Sequence, residues 1–460
     1  MITDDVALRS ACELAAGLTR REFSSRELLT LFLDRIDRFN PAVNAVVTLD
    51  AERAMRDATA ADEARARGDR LGPLHGLPIT VKDAIETAGI RSTGGALELA
   101  DHVPANDAPA VARLRGAGAI VFGKTNLPRW SMDTQSFNEL FGTTNNPWAL
   151  DRSPGGSSGG AAAAVAAGFT SFELGTDIGG SIRLPAHCCG VFGWKPSYGL
   201  VPQRGYLDHV GGGTTDADIN VFGPLARSAA DLELLADVLA GPEPERVPAW
   251  RVDLPVAPRD LRGLRVATWF DDPRCPSDHE CVAIFERAAA SARAAGATLV
   301  GDAPPTTFEE LTATYLPLIV AATSSSRPDD QADAISGTHR AWLRANEARA
   351  ALRQRWADWF RGVDVLLCPV AAIPAFRHDQ RGDLLERTVE VNGVKTPLMS
   401  TAAWCGIIGV LGLPSVSTPI GRTAAGLPVG VQVVAPYLHD RRAMRVAGAI
   451  GYYAVPPGFA

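Results

Sequence analysis

The sequence predicts an α/β protein: a single large domain with a central twisted, mixed β-sheet covered by helices on both faces. Helix-like and strand-like runs alternate along the chain, which implies a sheet with helices against each side. Strand-like runs occur near both ends, at 43–49 and 430–434, so the sheet gathers both halves into one interwoven domain over residues 1–460. With 46% hydrophobic and 21% charged residues, the composition is that of an ordinary globular protein able to fold by burial alone.

Ser24 and Glu27 form a capping box ahead of Leu28, Leu29, Phe32, Ile36 and Phe39, whose spacing marks a one-sided apolar helix stopping at Asn40-Pro41. A strand at 43–49, an alanine-rich charged helix at 51–67 and a strand at 79–82 follow. Residues 110–114 read as helix, 119–124 as a buried strand and 169–174 as another. The stretch 241–262 holds Pro242, Pro244, Pro248, Pro255 and Pro258, and reads as a surface connection between two halves. Beyond it, 264–269 is strand-like, 285–295, 308–322 and 341–360 are helical, and 363–370 and 430–434 return to strand.

A formal charge of −7 with no basic run argues against nucleic acid as an electrostatic partner. The opening MITDDVALRS lacks a positive and then an apolar region, so no secretory leader is expected and cytoplasm is the default. Two uncharged stretches, 153–172 and 396–421, have the length of membrane spans. The first is glycine, serine and alanine, and the second is cut by Gly406, Gly409, Gly412, Pro414 and Pro419, so both read as buried strand, turn and helix, with no membrane involved. Seven cysteines form no C-x-x-C pair, and eight histidines show no H-x-x-x-H spacing. Buried thiols, no metal and no cofactor are expected.

Three segments can carry chemistry: Lys82 in LPITVKD, Ser157 in GGSSGG and Ser181 in GTDIGGSIR. Ser181 follows a strand-like run, and glycines at 179 and 180 leave backbone N–H groups unshielded beside it, as an oxyanion site requires. Taken alone, GGS also fits a glycine turn capping a helix. A serine needs a base, and His187 sits in the apolar run LPAHCCGVFGW, where a core histidine fits better. Ser157 can instead pass a proton from Ser181 to a neutral lysine, because a hydroxyl both accepts and donates. A free lysine, with a pKa of about 10.4, must fall by roughly 3 units to act at neutral pH, and burial in a strand can supply that. Alone, Lys82 also reads as a surface lysine paired with Asp83 or Glu86, and GGSSGG as a flexible linker.

Taken together, Lys82, GGSSGG and GTDIGGSIR, in this order and at these separations, resemble the amidase signature family, and the likeness runs from Ser24 to the segment AGLPVGVQVVAPYLHD. The resemblance implies the amidase signature fold, with a signature core over about 75–200 and a helical substrate-side region over about 283–362. It implies a Ser-Ser-Lys triad in which Ser181 attacks the acyl carbon, Ser157, in a cis peptide, relays the proton, and Lys82 is base and then acid. Ile178, Gly179, Gly180 and Ser181 would supply the oxyanion hole, and Ser158, Thr176, Asp177 and Arg183 would orient the triad. Trp130, Met132, Gln135, Phe137 and Phe141 lie where the family lines its acyl pocket, and Tyr206 to Gly213 would form a mobile lid. The aromatic residues equally suit core packing.

The implied activity is hydrolysis of an acyl carbon–nitrogen bond in a small-molecule amide, with aryl amides and carbamates as candidates. The alternative is the A subunit of a tRNA-dependent amidotransferase, a glutamine-dependent transferase that shares the signature and works with partner subunits; Leu184, where those chains often carry glutamine, counts against it. Monomer and homodimer remain open. Two other patterns are set aside. Residues 118–125 fit the phosphate-loop pattern G-x-x-x-x-G-K-[ST], but 119–122 read as strand and Pro128 stands where a helix should begin. Residues 155–159 fit the G-x-S-x-G elbow, but the elbow must follow a strand and 145–154 is polar and twice broken by proline.

Overall fold

The computed structural model describes residues 2–327 and 329–460. Its strands in chain order are β1 (Val46–Leu49), β2 (Pro78–Lys82), β3 (Ile120–Thr125), β4 (Phe137–Asn138), β5 (Gly142–Thr143), β6 (Glu173–Asp177), β7 (Phe192–Lys195), β8 (Val221–Ala226), β9 (Arg265–Thr268), β10 (Thr298–Leu299), β11 (Val365–Pro369), β12 (Thr388–Val391), β13 (Val394–Pro397), β14 (Ser415–Arg422) and β15 (Pro428–Val434). Eleven of them make one sheet, ordered β1-β3-β2-β6-β8-β7-β14-β15-β11-β9-β10; β4 with β5 and β12 with β13 form separate two-stranded ribbons. The large sheet is mixed: β2 lies parallel to β3 and β6, and β9 parallel to β10 and β11, while the remaining neighbours are antiparallel.

Alternation along a single strand demonstrates that both faces are covered. Val365 and Leu367 of β11 enter one buried cluster with the helices Ser25–Val43, Gly159–Ala166, Ala229–Leu239 and Asp440–Ile450. Leu366 and Cys368 face a second cluster with Phe308–Ala322, His339–Trp359 and Ala403–Gly409. Because β2 and β6 are parallel, their carboxyl ends, Lys82 and Asp177, emerge at the same edge of the sheet, the usual place for a site in such folds.

The Ser24–Glu27 capping box is present, but its helix continues through Pro41 to Val43. A proline in the last turn sacrifices one backbone bond rather than many, and the true stop is Asn44, left-handed at φ 52, which delays the next strand to Val46. The strand expected at 169–174 begins only at Glu173. Phe169 and Phe172 are buried in the preceding turn, where the Thr170 hydroxyl accepts from Thr80 N and donates to Phe172 O, so their apolarity imitates a strand.

Residues 241–262 contain one short 3-10 turn, Pro244–Arg246, and leave Trp250 and Val256 exposed. In the helical region over about 283–362, residue 328 lies outside the described residues. The uncharged stretch 153–172 holds a turn and the helix Gly159–Ala166, and 396–421 holds Leu398–Ala402, Ala403–Gly409 and β14. Among the described residues no helix is long and apolar enough to cross a membrane. All seven cysteines are free, and six of them are buried.

Candidate active site

Lys82 ends β2 with its side chain fully buried, donating from Nζ to Ser157 Oγ at 2.6 Å and to Thr176 Oγ1 at 2.7 Å. It is not a surface lysine paired with Asp83, whose carboxylate instead accepts from Thr93 N at 3.0 Å. Burial pushes the Lys82 amine down to about 7, with Asp177 and Glu173 pulling the other way. Such an amine is substantially unprotonated near neutral pH and can accept a proton from the hydroxyl it touches.

The GGSSGG segment is a packed turn rather than a linker. The Gly156–Ser157 peptide is cis, and a Cβ at Gly156 would stand 2.5 Å from Asp133 O and 2.6 Å from Gln135 N. Ser136 Oγ accepts from Gly159 N at 2.9 Å, and Ser153 Oγ from Gly155 N at 3.0 Å, so hydroxyls of the surrounding loop hold the turn in place. Ser158 N donates to Ser181 O at 3.1 Å, which brings the two serine loops together. Ser158 Oγ donates to Thr176 O at 3.2 Å, linking the helix start to β6.

Ser181 lies just beyond β6 in a loop organised by Asp177. That carboxylate accepts from Gly180 N at 2.8 Å, Ile182 N at 3.1 Å and Arg183 N at 3.3 Å, and pairs with the Arg183 guanidinium at 2.7 Å. Burial alone would raise Asp177, but the Arg183 charge overrides it and holds the carboxyl down at about 2. Arg183 also donates to Cys405 O at 2.9 Å and Gln432 Oε1 at 2.8 Å, anchoring the loop to the far half of the chain.

Of the four expected oxyanion donors, the Gly180 N–H is committed to Asp177 and shapes the loop, while among the described residues the N–H groups of Ile178, Gly179 and Ser181 have no protein acceptor. No hydrogen bond joins Ser157 Oγ to Ser181 Oγ in this arrangement; unliganded sites are often looser than reacting ones.

Ile178, Gly179, Gly180, Ser181 and Gly156 line a cavity of about 880 Å³, together with Trp130 and Met132 from the expected pocket. Gln135, Phe137, Phe141 and Tyr206 depart from expectation and do not line it. Gln135 is buried, donating to Asp379 O at 2.6 Å and accepting from Asp379 N at 3.1 Å. Phe137 lies under the Arg387 guanidinium and Phe141 under that of Arg91. Tyr206 is buried edge-on against Phe222 and bridged to Ile85, and none of residues 206–213 lines the cavity.

Further walls come from afar in the chain: Phe308, Tyr315, Leu316 and Ile319 fall in the substrate-side helical region that the resemblance implies, whereas Leu184, Leu384, Leu385, Met399 and Ile407 were not among the expected pocket residues. No local pattern in the sequence says which face of the helix Phe308–Ala322 meets Ser181.

His187 is a core histidine, accepting from Gly430 N at 2.9 Å through Nδ1 and facing Ile373 O at 3.0 Å through Nε2. Lys124, the lysine of the phosphate-loop pattern, is buried in β3 and spends its amine on Ile85 O, on Thr87 Oγ1 at 2.8 Å and on Ser92 Oγ at 3.0 Å. It has no donor left for a phosphate. No group of three metal-ligating side chains occurs among the described residues.

The model of the Amidase family matches residues 27–340 and 330–444. The chain is 34% identical over 476 residues to the A subunit of glutamyl-tRNA(Gln) amidotransferase from Synechococcus sp. (strain CC9902), covering 94% of this chain and 93% of that relative. Among solved structures it is similar to a bacterial aryl acylamidase of the amidase signature family, with 27% identity, a TM-score of 0.80 and coverage of 97% of this chain and 96% of the other. It is also similar to 6-aminohexanoate cyclic dimer hydrolase complexed with substrate, with 26% identity, a TM-score of 0.82 and coverage of 98% and 99%.

Proposed function

This chain belongs to the amidase signature family, and we propose on that premise that it hydrolyses the acyl carbon–nitrogen bond of a small amide through an acyl-enzyme on Ser181. The observation that carries the reading is the fully buried Lys82 amine, 2.6 Å from the Ser157 hydroxyl beside the Ser181 loop. Lys82 takes the Ser157 proton while Ser157 takes that of Ser181, whose Oγ bonds to the substrate carbon as the carbonyl becomes an oxyanion. The N–H groups of Gly179 and Ser181 receive that charge. Collapse breaks the carbon–nitrogen bond, and the proton returns from Lys82 through Ser157 to the departing nitrogen. Water then attacks the ester as its proton passes to Lys82; the carbon–Oγ bond breaks, Ser181 Oγ recovers the proton through Ser157, and the acid leaves.

The cavity supports an apolar or aromatic acyl or leaving group, because Leu184, Phe308, Leu316, Ile319 and Ile407 form its walls. An aryl amide or a carbamate fits that description. A second reading, the A subunit of a tRNA-dependent amidotransferase, is favoured by the names of the curated relatives, which speak for it more directly than for an aryl amidase or carbamate hydrolase. Under it, further protein chains and a charged tRNA would be partners, against the expectation drawn from net charge.

Glutamine is a zwitterion, and of the six charged residues of the lining Arg129 pairs with Glu98, Asp133 with Arg387, and Arg274 with Glu309, while Arg327 and Asp383 form no ion pair among the described residues, so the charges of the lining favour neither reading. A kinetic panel of an aryl amide, the matching carbamate and glutamine, run on wild type and Lys82→Ala, separates the readings. Turnover of the aryl amide without glutamine hydrolysis supports the first. Glutamine hydrolysis with ammonia transfer on adding the partner chains supports the second, and an aryl amide cleaved with the carbamate untouched removes the carbamate option.

A further inference from the structure

Beneath Lys82 lies a second buried ionisable group that the reaction above does not use. Glu173 is fully buried at the start of β6 and pairs with Thr80 of β2. Lys82 is two residues beyond Thr80, so strand alternation places Lys82 and Glu173 on one face of the sheet. On the other side of β2, Lys82 aligns with Thr125 of β3, whose hydroxyl donates to Glu173 Oε1 at 2.7 Å. Glu173 Oε2 and the neighbouring Thr80 Oγ1 are buried without a partner.

A carboxylate with an unfilled oxygen is costly in such a place unless a cation faces it. Two lysines lie near it: Lys124 on β3, whose charge acts on Glu173, and Lys82 on β2, whose amine feels the Glu173 charge. Lys124 already spends its amine on Ile85 O, Thr87 and Ser92, and it faces Asp83. Asp177, at the far end of β6, is bound to Arg183. The other elements packed on β6, the strand β8 and the helix Gly159–Ala166, contain no titratable residue.

We propose that Glu173 is a positioning residue that supplies the counter-charge for Lys82, holding the lysine's protonated form when Ser181 attacks. No bond to Glu173 forms or breaks: the proton moves from Ser181 through Ser157 to Lys82, and the carboxylate balances the charge left there. Burial pushes the Glu173 carboxyl up to about 7 and the Lys82 amine down to about 7, so both groups change charge in the neutral range.

The inference rests on Lys82 as the base. Glu173→Gln keeps the size of the side chain and an acceptor for Thr125, and its kcat/KM is compared with wild type across pH on one amide. Without the carboxylate the lysine loses its proton more readily, so the acid limb should move to lower pH by about one unit, and the plateau should fall about tenfold as the protonated lysine loses its partner. Thr125→Val, which removes the hydroxyl favouring ionised Glu173, should move the limb the same way by less. A purely structural role lowers the melting temperature or the amount of active enzyme without moving the limb. An unmoved limb in both variants, with Lys82→Ala inactive, overturns this inference alone; an active Lys82→Ala overturns the base assignment itself.

Discussion

The Lys82 amine stands 2.6 Å from the Ser157 hydroxyl with no solvent around either side chain. An amine there cannot be hydrated when charged, so its basicity is set by protein groups alone. Every functional expectation about this chain depends on that contact.

Activity should therefore follow the lysine's charge. As a base, Lys82 must be neutral, and burial holds it down at about 7. The kcat/KM should rise as pH increases through about 7 and level off above it, and should be lost as pH falls below. A profile on a neutral amide, flat from pH 5 to about 9, would remove Lys82 from the reaction.

The two serines should separate in a labelling experiment. Ser181→Ala should abolish both turnover, by about three orders of magnitude or more, and covalent capture of a fluorophosphonate. Ser157→Ala should cut turnover severely yet leave slow labelling at Ser181. Loss of the label at Ser157 alone would reverse the assignment.

The loop carrying Ser181 is held by a fully buried ion pair, so Arg183→Leu leaves Asp177 buried and uncompensated. The expected loss is about 3–5 kcal/mol in denaturant unfolding, because breaking such a pair costs far more than never having built it. A loss below about 1 kcal/mol would show that the loop does not depend on the pair.

Tyr315 fills the space that Gly179 leaves open. A Cβ at position 179 would meet Tyr315 Oη at 2.7 Å, while the ring carbon behind that hydroxyl is 4.0 Å away. Gly179→Ala should lower kcat/KM by displacing the tyrosine or the loop, and Tyr315→Phe in the same background should recover much of it. Measuring both variants decides the matter: no recovery would place the damage in the backbone instead.

Much of the fold was readable because it rests on local patterns. The capping box at Ser24, the helix over 51–67 and the β2 and β3 strands announce themselves through end residues and periodicity within a few positions. The errors are also local: Pro41 looked like a stop but sits in a last turn, and Phe169 and Phe172 looked like strand but fill a turn. The resemblance places Trp130, Met132, Gln135, Phe137 and Phe141 at the pocket, but only the first two line the cavity. Gln135, Phe137 and Phe141 meet Asp379, Arg387 and Arg91, because contacts with distant segments decide which way each side chain of the run is turned.

The sequence by itself determined the family and the α/β architecture and singled out Lys82, Ser157 and Ser181 as candidates, because spacing in glycine-rich turns and buried strands leaves a linear signature. Only the tertiary structure decided what those groups experience. Burial lowers Lys82, the Asp177 carboxylate takes up the Gly180 N–H while paired with Arg183, and strand pairing sets Glu173 beside Thr80, on the face of the sheet that carries the lysine. These are consequences of desolvation and of contacts between residues distant in the chain, and the strength of an electrostatic interaction depends on the medium around it as much as on the charges.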